Sequence, residues 1–543
     1  MDLLNPNKLY EELSNSKQNS LNFWGPVPHS FSHAVDLSLN LIKDDMNEGN
    51  NQNLEELQTF LISYHKSLGI FSETVMTNIS NLNFGSVIVG HQPIIFGGPG
   101  FIGNKLACLN HLKSIYDKKK INISPIFFIG DYDGMQKELA RVYYPNPISF
   151  NATIVSSDGY FNEESDLVSH SALLPPITWL EENILKIEHS INGFKGQLKG
   201  KDSKILEERW NHIVTLLKTS FNSTSTLSEW ASKLWGTITN IINDFGIVYL
   251  PTSHPVVRKL VFKHYLKFIQ NSTTYTHEFQ QANDQLIQLG FEPSLPHRHL
   301  DYSPFILECT NDFNRIPTMI NQVGEEFFAS GTCNQCKTDF KYNVSNEEEL
   351  EKIAEIIGPR VDTSQAIFQD LLNIVIRISG PGEIAYYSQV APAVRSIGFN
   401  TPIFVKYKRA YYNSNWNEKL GKLIESRNSA SLHNNKLFDI LRKRITSLKE
   451  NNNLELQQSE ILMENYIDET YQSLINGKQN NDIQKYLGWQ FGRFTKDKMG
   501  QEVSWVWIDF ALMTGLNDYL STYQRMYTDE STLGGKYYIN TSI

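Results

Sequence analysis

The run from Ser86 to Asp133, SVIVGHQPIIFGGPGFIGNKLACLNHLKSIYDKKKINISPIFFIGDYD, constrains this chain more than any other stretch. Ser86–Val89 is a short β-branched run that Gly90-His91-Gln92-Pro93 ends. Gly97-Gly98-Pro99-Gly100 leads into a helical pattern from Phe101 to about Tyr116. Pro125–Ile129 is a second apolar run, closed by Gly130-Asp131-Tyr132-Asp133. Strand, crossover helix and strand make a βαβ unit, whose parallel strands must lie in a sheet covered by helices. Ligands of such sheets sit beyond the carboxyl ends of the strands. GHQP and GDYD both fall there, so the site is expected between them.

The same grammar recurs. Phe245–Leu250 is stopped by Pro251-Thr252-Ser253-His254-Pro255 and followed by a helical Val256–Gln270. Leu372–Ile378 is broken by Ser379-Gly380-Pro381-Gly382, and the stretch from Glu383 reads as a helix despite Pro392. Thr401–Lys406 completes the set as a core strand. Three strand–loop–helix units predict an α/β fold, a doubly wound parallel sheet, over residues 81–410. Residues 1–80 read as a helical segment, with Leu54, Leu57, Phe60, Leu61 and Tyr64 at helical spacing. Residues 156–243 read as a helical insertion between strands, and 291–360 as a mixed insertion. From 411 to 500 the chain is charged and helix-rich, with Phe438, Leu441, Ile445 and Leu448 at 3-4-3 spacing. That pattern suits a helical hairpin or coiled coil that dimerises, or equally a lid packed on the chain's own sheet. Residues 501–543 are aromatic-rich and are expected to return to the core.

Bulk properties exclude some classes. A chain of 543 residues exceeds one hydrophobic core, and 40% hydrophobic residues leave ample material for two or three. A net charge of −10 argues against a nucleic-acid partner. No window approaches the length of a membrane span, and MDLLNPNKLYEEL has no signal-peptide pattern. With four cysteines a disulfide framework is not expected, and a reducing cytoplasm is.

Several residues could carry chemistry. Gly98-Pro99-Gly100-Phe101-Ile102-Gly103 fits the dinucleotide spacing, with Asp131 ending the next strand. The fit is poor in context, because His91 to Gly97 intervene after the strand and Pro99 removes an amide. These glycines are expected to bring the backbone close to a ligand, or to make a tight turn. His91 and Gln92 could bind substrate or ribose, and Lys105 could reach a phosphate. Asp131 and Asp133 could hold a metal, an amine or a sugar hydroxyl, or could cap the next helix. Gly380, Gly382 and Glu383 place free amides and a carboxylate at a helix start. Cys333-Asn334-Gln335-Cys336 is a single C-x-x-C. A zinc site needs four ligands, and Cys309 with His297 or His299 could complete it, although a bare thiol pair is the plainer expectation.

Three segments carry a resemblance. GHQPIIFGGPGFIGNK, PIFFIGDYD and SGPGEIAYYSQV, with Phe368-Gln369-Asp370 and FGIVYLPTSHPVVRKL beside them, resemble the bacillithiol-biosynthesis cysteine-adding enzyme (BshC) family. The resemblance covers roughly 80–410. It implies a Rossmann-like core with connecting-peptide insertions, a coiled coil that dimerises, and addition of cysteine to a glucosaminyl-malate acceptor, with ATP as a possible activator. It places Asn104, Lys105 and Gln389 among substrate- or nucleotide-binding positions and Tyr132 among catalytic ones. Asn104 and Tyr132 stand where the family has histidines, and Gln365-Ala366 where it has Arg-Pro. Tyr132 would be a weak replacement base, since its ordinary pKa is near 10. The expectation is a cytoplasmic homodimeric ligase joining a small amino acid to an amino sugar. His91, Gln92 and Lys105 would serve the nucleotide or carboxylate, and Asp131, Asp133 and Glu383 the amine. The alternative is a paralogue that binds a related ligand without ligation.

Overall fold

A computed structural model describes Leu9, residues 22–42, residues 48–414 apart from 135, 137, 147–150, 158–159, 161–168, 170–172, 197 and 199, and residues 501–541 apart from 529–532 and 535. The coiled coil expected across 411–500, including Phe438 to Leu448, lies almost wholly outside these residues.

In chain order the strands are β1 (Ser86–His91), β2 (Ser124–Ile129), β3 (Arg141–Asn146), β4 (Asn151–Ser156) and β5 (Val248–Pro251). They continue with β6 (Tyr302–Glu308), β7 (Arg315–Val323), β8 (Glu326–Thr332), β9 (Asp339–Asn343) and β10 (Ile357–Pro359), then β11 (Ile374–Ser379), β12 (Ile403–Lys406), β13 (Arg409–Ser414) and β14 (Lys536–Thr541). Five of them form one parallel sheet in the order β12-β11-β1-β2-β5. From β1 the chain builds outward through β2 and β5, then returns to lay β11 on the other side of β1. The order therefore reverses between β1 and β11, as in a Rossmann-like fold.

Both faces of this sheet are covered. Side chains alternate along a strand, so Val87, Val89, Phe127 and Ile129 enter one core while Ile88, Ile126 and Phe128 enter the other. The first core receives α1 (Phe101–Lys118) through Ile102, Leu106, Leu109 and Leu112. The second receives α2 (Ser364–Leu372) and α3 (Pro381–Ser396). Leu54, Leu57, Leu61 and Tyr64 are buried along the helix Glu48–Ser67, on the stripe that their spacing marks. Helices Ile177–Lys195, Lys201–Phe221 and Leu227–Gly236 fill the connection before β5.

Two parts of the fold add detail to the sequence reading. The helical insertion is preceded by the hairpin β3–β4. The mixed section is an antiparallel sheet, order β10-β6-β7-β8-β9. Its signal is the alternation in β7, where Ile316, Thr318 and Ile320 point inward between outward Pro317 and Met319.

The segment after residue 500 packs into the first core. Trp505 and Trp507 are fully buried, and α4 (Ile508–Thr514), which carries the buried Phe510, and α5 (Leu516–Gln524) follow. Among the described residues, no helix is long and apolar enough to cross a membrane.

Candidate active site at the switch point of the sheet

A pocket of about 200 Å³ opens where the strand order reverses. Gly90, His91 and Gln92 line it from the end of β1, Phe128, Gly130, Tyr132 and Asp133 from the end of β2, and Arg377, Glu383 and Tyr386 from β11 and α3. Val361 and Ser364 close it from the start of α2. Gly90 is required by its neighbour, since a Cβ there would lie 2.8 Å from the Phe128 carbonyl oxygen.

Charge is concentrated around Glu383. Lys105, on the second turn of α1, donates from Nζ to Glu383 Oε2 at 3.0 Å and to the Gly90 carbonyl at 3.0 Å. Arg377 approaches Glu383 Oε1 at 3.5 Å, and the Gly380 amide donates to Glu383 Oε2 at 2.9 Å. Burial works against charge on Glu383, but Lys105, Arg377 and the Gly380 amide hold its pKa below the ordinary carboxylate value. Burial lowers the pKa of Lys105, opposed chiefly by Glu383. Arg377 lines the pocket, and its buried Nε has no hydrogen-bond partner among the described residues.

The opposite wall holds Asp133, which accepts from Gln92 Nε2 at 3.1 Å and pairs with Arg315 of β7 at 3.3 Å. His91 lies between, its Nδ1 2.9 Å from the Gln92 carbonyl. Desolvation, then Lys105, lowers its pKa to about 4, so the imidazole is neutral at ordinary pH. Burial and Asp133 push Tyr132 well above a phenol's usual value, which removes it as a base.

The structure thus brings together His91, Gln92, Lys105, Tyr132, Asp133 and Glu383, with Gly380 and Gly382 at the adjoining helix start. It turns the other expected residues elsewhere. Asp131 is buried below the pocket, accepting from Thr252 Oγ1 at 3.0 Å and the Ser253 amide at 2.7 Å, and thereby ties β2 to the loop after β5. Asn104 is spent on the Lys408 carbonyl, Glu502 and Tyr527. Gln389 is fully buried and clamps the amides of Ser294 and Leu295 at 2.8 and 2.9 Å. Gly98 and Gly100 do bring backbone close to something, but it is the chain's own C-terminal part. The Gly98 carbonyl accepts from the Trp507 amide at 3.1 Å, and the Gly100 carbonyl accepts from Tyr523 Oη at 3.1 Å. The dinucleotide reading of this loop fails for that reason. Cys333 and Cys336 lie in the β8–β9 turn of the antiparallel sheet, apart from the pocket.

Sequence reasoning missed Arg377. Its signal was present: an arginine inside the apolar run LNIVIRI is costly to bury unless something uses it. Arg315, Ser364 and Tyr386 had no local signal.

Fold and pocket together define a Rossmann-like α/β protein with a charged crevice at its topological switch point. A sequence profile described as the N-terminal Rossmann-like domain of bacillithiol biosynthesis BshC matches residues 25–410, and the chain belongs to that family. Among its relatives, a Staphylococcus epidermidis protein named "Putative cysteine ligase BshC" is 22% identical over 369 residues, covering 67% of this chain and 62% of the relative. A Bacillus mycoides protein of the same name is 23% identical over 354 residues, covering 64% and 60%. The match thus spans less than two thirds of those relatives' length.

Proposed function

We propose that this chain is a carbon–nitrogen ligase of bacillithiol biosynthesis, joining the carboxyl of cysteine to the amine of an amino sugar such as glucosaminyl malate. The observation that carries the proposal is the Lys105–Glu383–Arg377 cluster facing Asp133 across one small pocket. An amide bond needs an acyl oxygen stabilised on one side and an amine held and deprotonated on the other. Lys105 and Arg377 suit the anionic side. Asp133 suits the amine, and neutral His91 can exchange hydrogen bonds between the two. Glu383 is already engaged by Lys105, Arg377 and Gly380, so its role is to fix both cations rather than to act as a base.

ATP fits this reading in part. The Lys105 and Arg377 cations that line the pocket match the charge of a phosphoryl group. When bound, the nucleotide would supply the activation that a free carboxylate lacks. The pocket of about 200 Å³ is below the roughly 300–1,000 Å³ usual for whole drug-sized ligands, so it takes a phosphoryl or amino-acid end rather than a complete nucleotide. A homodimer working in the cytoplasm completes the proposal; sedimentation of the full chain checks the dimer.

A second reading has its own support. The family's two histidine positions are Asn104, consumed in a buried network, and Tyr132, a phenol held protonated. A ligand-binding paralogue would need neither base. Incubating the purified chain with ATP, cysteine and glucosaminyl malate, with mass detection of the amide, separates the two. Product that disappears in Lys105→Met supports the ligase. No product with saturable acceptor binding overturns it in favour of the paralogue.

A further inference from the structure

The antiparallel sheet holds a cluster that the pocket does not use. It meanders, so the β6–β7 and β8–β9 turns come to the same end, side by side. Cys309 and Asp312 sit in the first turn, Cys333 and Cys336 in the second, and their four donor atoms all lie within 4.8 Å of one another. His297 and His299, the partners that the sequence suggested, are not among them.

The two turns are built alike. In the first, the Cys309 amide donates to the Asn314 carbonyl at 2.8 Å and the Phe313 amide to the Cys309 carbonyl at 2.9 Å. In the second, the Cys333 amide donates to the Thr338 carbonyl at 2.9 Å and the Lys337 amide to the Cys333 carbonyl at 3.1 Å. Each turn places a non-glycine residue in the left-handed region directly after its second donor, Phe313 at φ 60° and Lys337 at φ 59°. That conformation is costly for bulky side chains, and here it recurs at equivalent positions. The sequence pattern is Cys-x-x-Asp, residues 313–332, then Cys-x-x-Cys, which has the spacing of two-turn zinc sites with one thiolate replaced by a carboxylate.

Distances agree with a metal rather than a disulfide. Zinc bonds of about 2.3 Å to sulfur and 2.0–2.2 Å to oxygen give tetrahedral edges of about 3.8 Å for S···S and 3.5 Å for S···O. Cys309 Sγ and Cys336 Sγ are 3.6 Å apart, and Cys333 Sγ lies 3.3 and 3.5 Å from the two Asp312 oxygens. A disulfide would need its sulfurs at about 2.05 Å.

We infer that Cys309, Asp312, Cys333 and Cys336 form a structural zinc site that locks the two turns together. Binding replaces three thiol protons, released to solvent, by one Zn²⁺, leaving three thiolates and one carboxylate on the ion. All four positions are filled by protein, as in closed structural sites. The site also bears on the pocket. Arg315, which reaches Asp133, is the third residue after Asp312, so an ordered first turn fixes where its guanidinium begins.

The test uses the full-length chain, made with zinc in the medium, purified untagged and without chelator. Elemental analysis should find about one zinc per chain. Chelated, reduced protein given Co²⁺ should show thiolate-to-cobalt charge transfer and the intense visible bands of a tetrahedral ion. Asp312→Asn should weaken zinc by more than the roughly 10–100-fold that loss of a supporting partner costs. Asp312→Cys, which keeps four donors, should hold one zinc and resist chelator better. Iron in place of zinc, a Cys309–Cys336 disulfide found by mass mapping, or folded reduced protein that takes up neither zinc nor cobalt would each overturn the inference. None of these readouts depends on ligase activity.

Discussion

A lysine with only 4% of its side chain exposed stays charged only while a partner offsets the cost of burial. At Lys105 that partner is Glu383, itself 22% exposed and also held by Arg377 and the Gly380 amide. Breaking a fully buried pair costs about 3–5 kcal/mol, and the partial exposure and spare partners of Glu383 reduce this. Lys105→Met is therefore expected to lower stability by about 1–3 kcal/mol in urea unfolding. Removing one preorganised donor costs about 10²–10³ in turnover, so product formation should fall by that order. A variant as active as the parent would remove Lys105 from the chemistry. His91 makes a prediction of opposite character. Its folded pKa is lowered to about 4 from 6.5, so the unfolded chain takes up a proton first as pH falls. Its stability contribution is present above pH 6.5 and lost as pH falls through about 4. His91→Asn should flatten the pH dependence of the urea midpoint in that window, by up to about 1.4 kcal/mol per pH unit. An unchanged slope would show that His91 titrates normally.

At the scale of elements, the junction between α1 and the C-terminal segment runs on buried acids. Burial raises Glu502 to about 7, opposed by Arg409, the Ala410 amide and Asn104, and raises Asp509 to about 7 beside Tyr412. A raised carboxylate pKa means that the folded state keeps a proton the unfolded state gives up. Stability from these groups is full below their ordinary values of 4.5 and 3.8 and is lost as pH rises through about 7. This trend opposes that of His91, so the parent's net curve is shallow where the windows overlap and the variants carry the information. Between pH 6 and 8, hydrogen exchange corrected for intrinsic rate should rise in residues 501–527, and Glu502→Gln should remove about half of that rise. Equal protection in parent and variant at both pH values would place the two carboxylates outside the docking equilibrium. The same junction explains Asn104. It joins Glu502 at 2.6 Å, the Lys408 carbonyl at 2.5 Å and Tyr527 at 2.6 Å, linking three chain segments with one amide.

Across the whole molecule, the pocket joins what the chain builds separately. Its walls come from β1 and β2 early in the chain and from α2, β11 and α3 some 230 residues later. Arg315 adds a contact from the antiparallel sheet. A ligand bound there contacts both halves of the sheet at its reversal, so binding should stabilise the chain globally rather than locally. ATP at 100 times its Kd would add about 2.7 kcal/mol to unfolding, seen as a raised melting temperature. Lys105→Met should abolish that rise. An equal rise in the variant would locate the nucleotide elsewhere on the molecule.

The sequence by itself determined the βαβ unit, the recurrence of strand–loop–helix and the polar strand ends His91-Gln92 and Asp133, because alternation, helical spacing and glycine punctuation are local properties of a backbone. Glu383 was legible for the same reason, as a carboxylate at a helix start. Only the tertiary structure decided which of these groups meet. Asp131 and Asp133 are one residue apart and alike on paper, yet one turns into the β5 loop and the other into the pocket. Gly98 and Gly100 looked like a ligand cradle until Trp507 and Tyr523, more than 400 residues away, took the place of the ligand. Asp312 had no signal as a partner of Cys333 until two turns were set side by side. In each case the deciding contact lies between segments far apart in the chain, where local spacing carries no information and packing does.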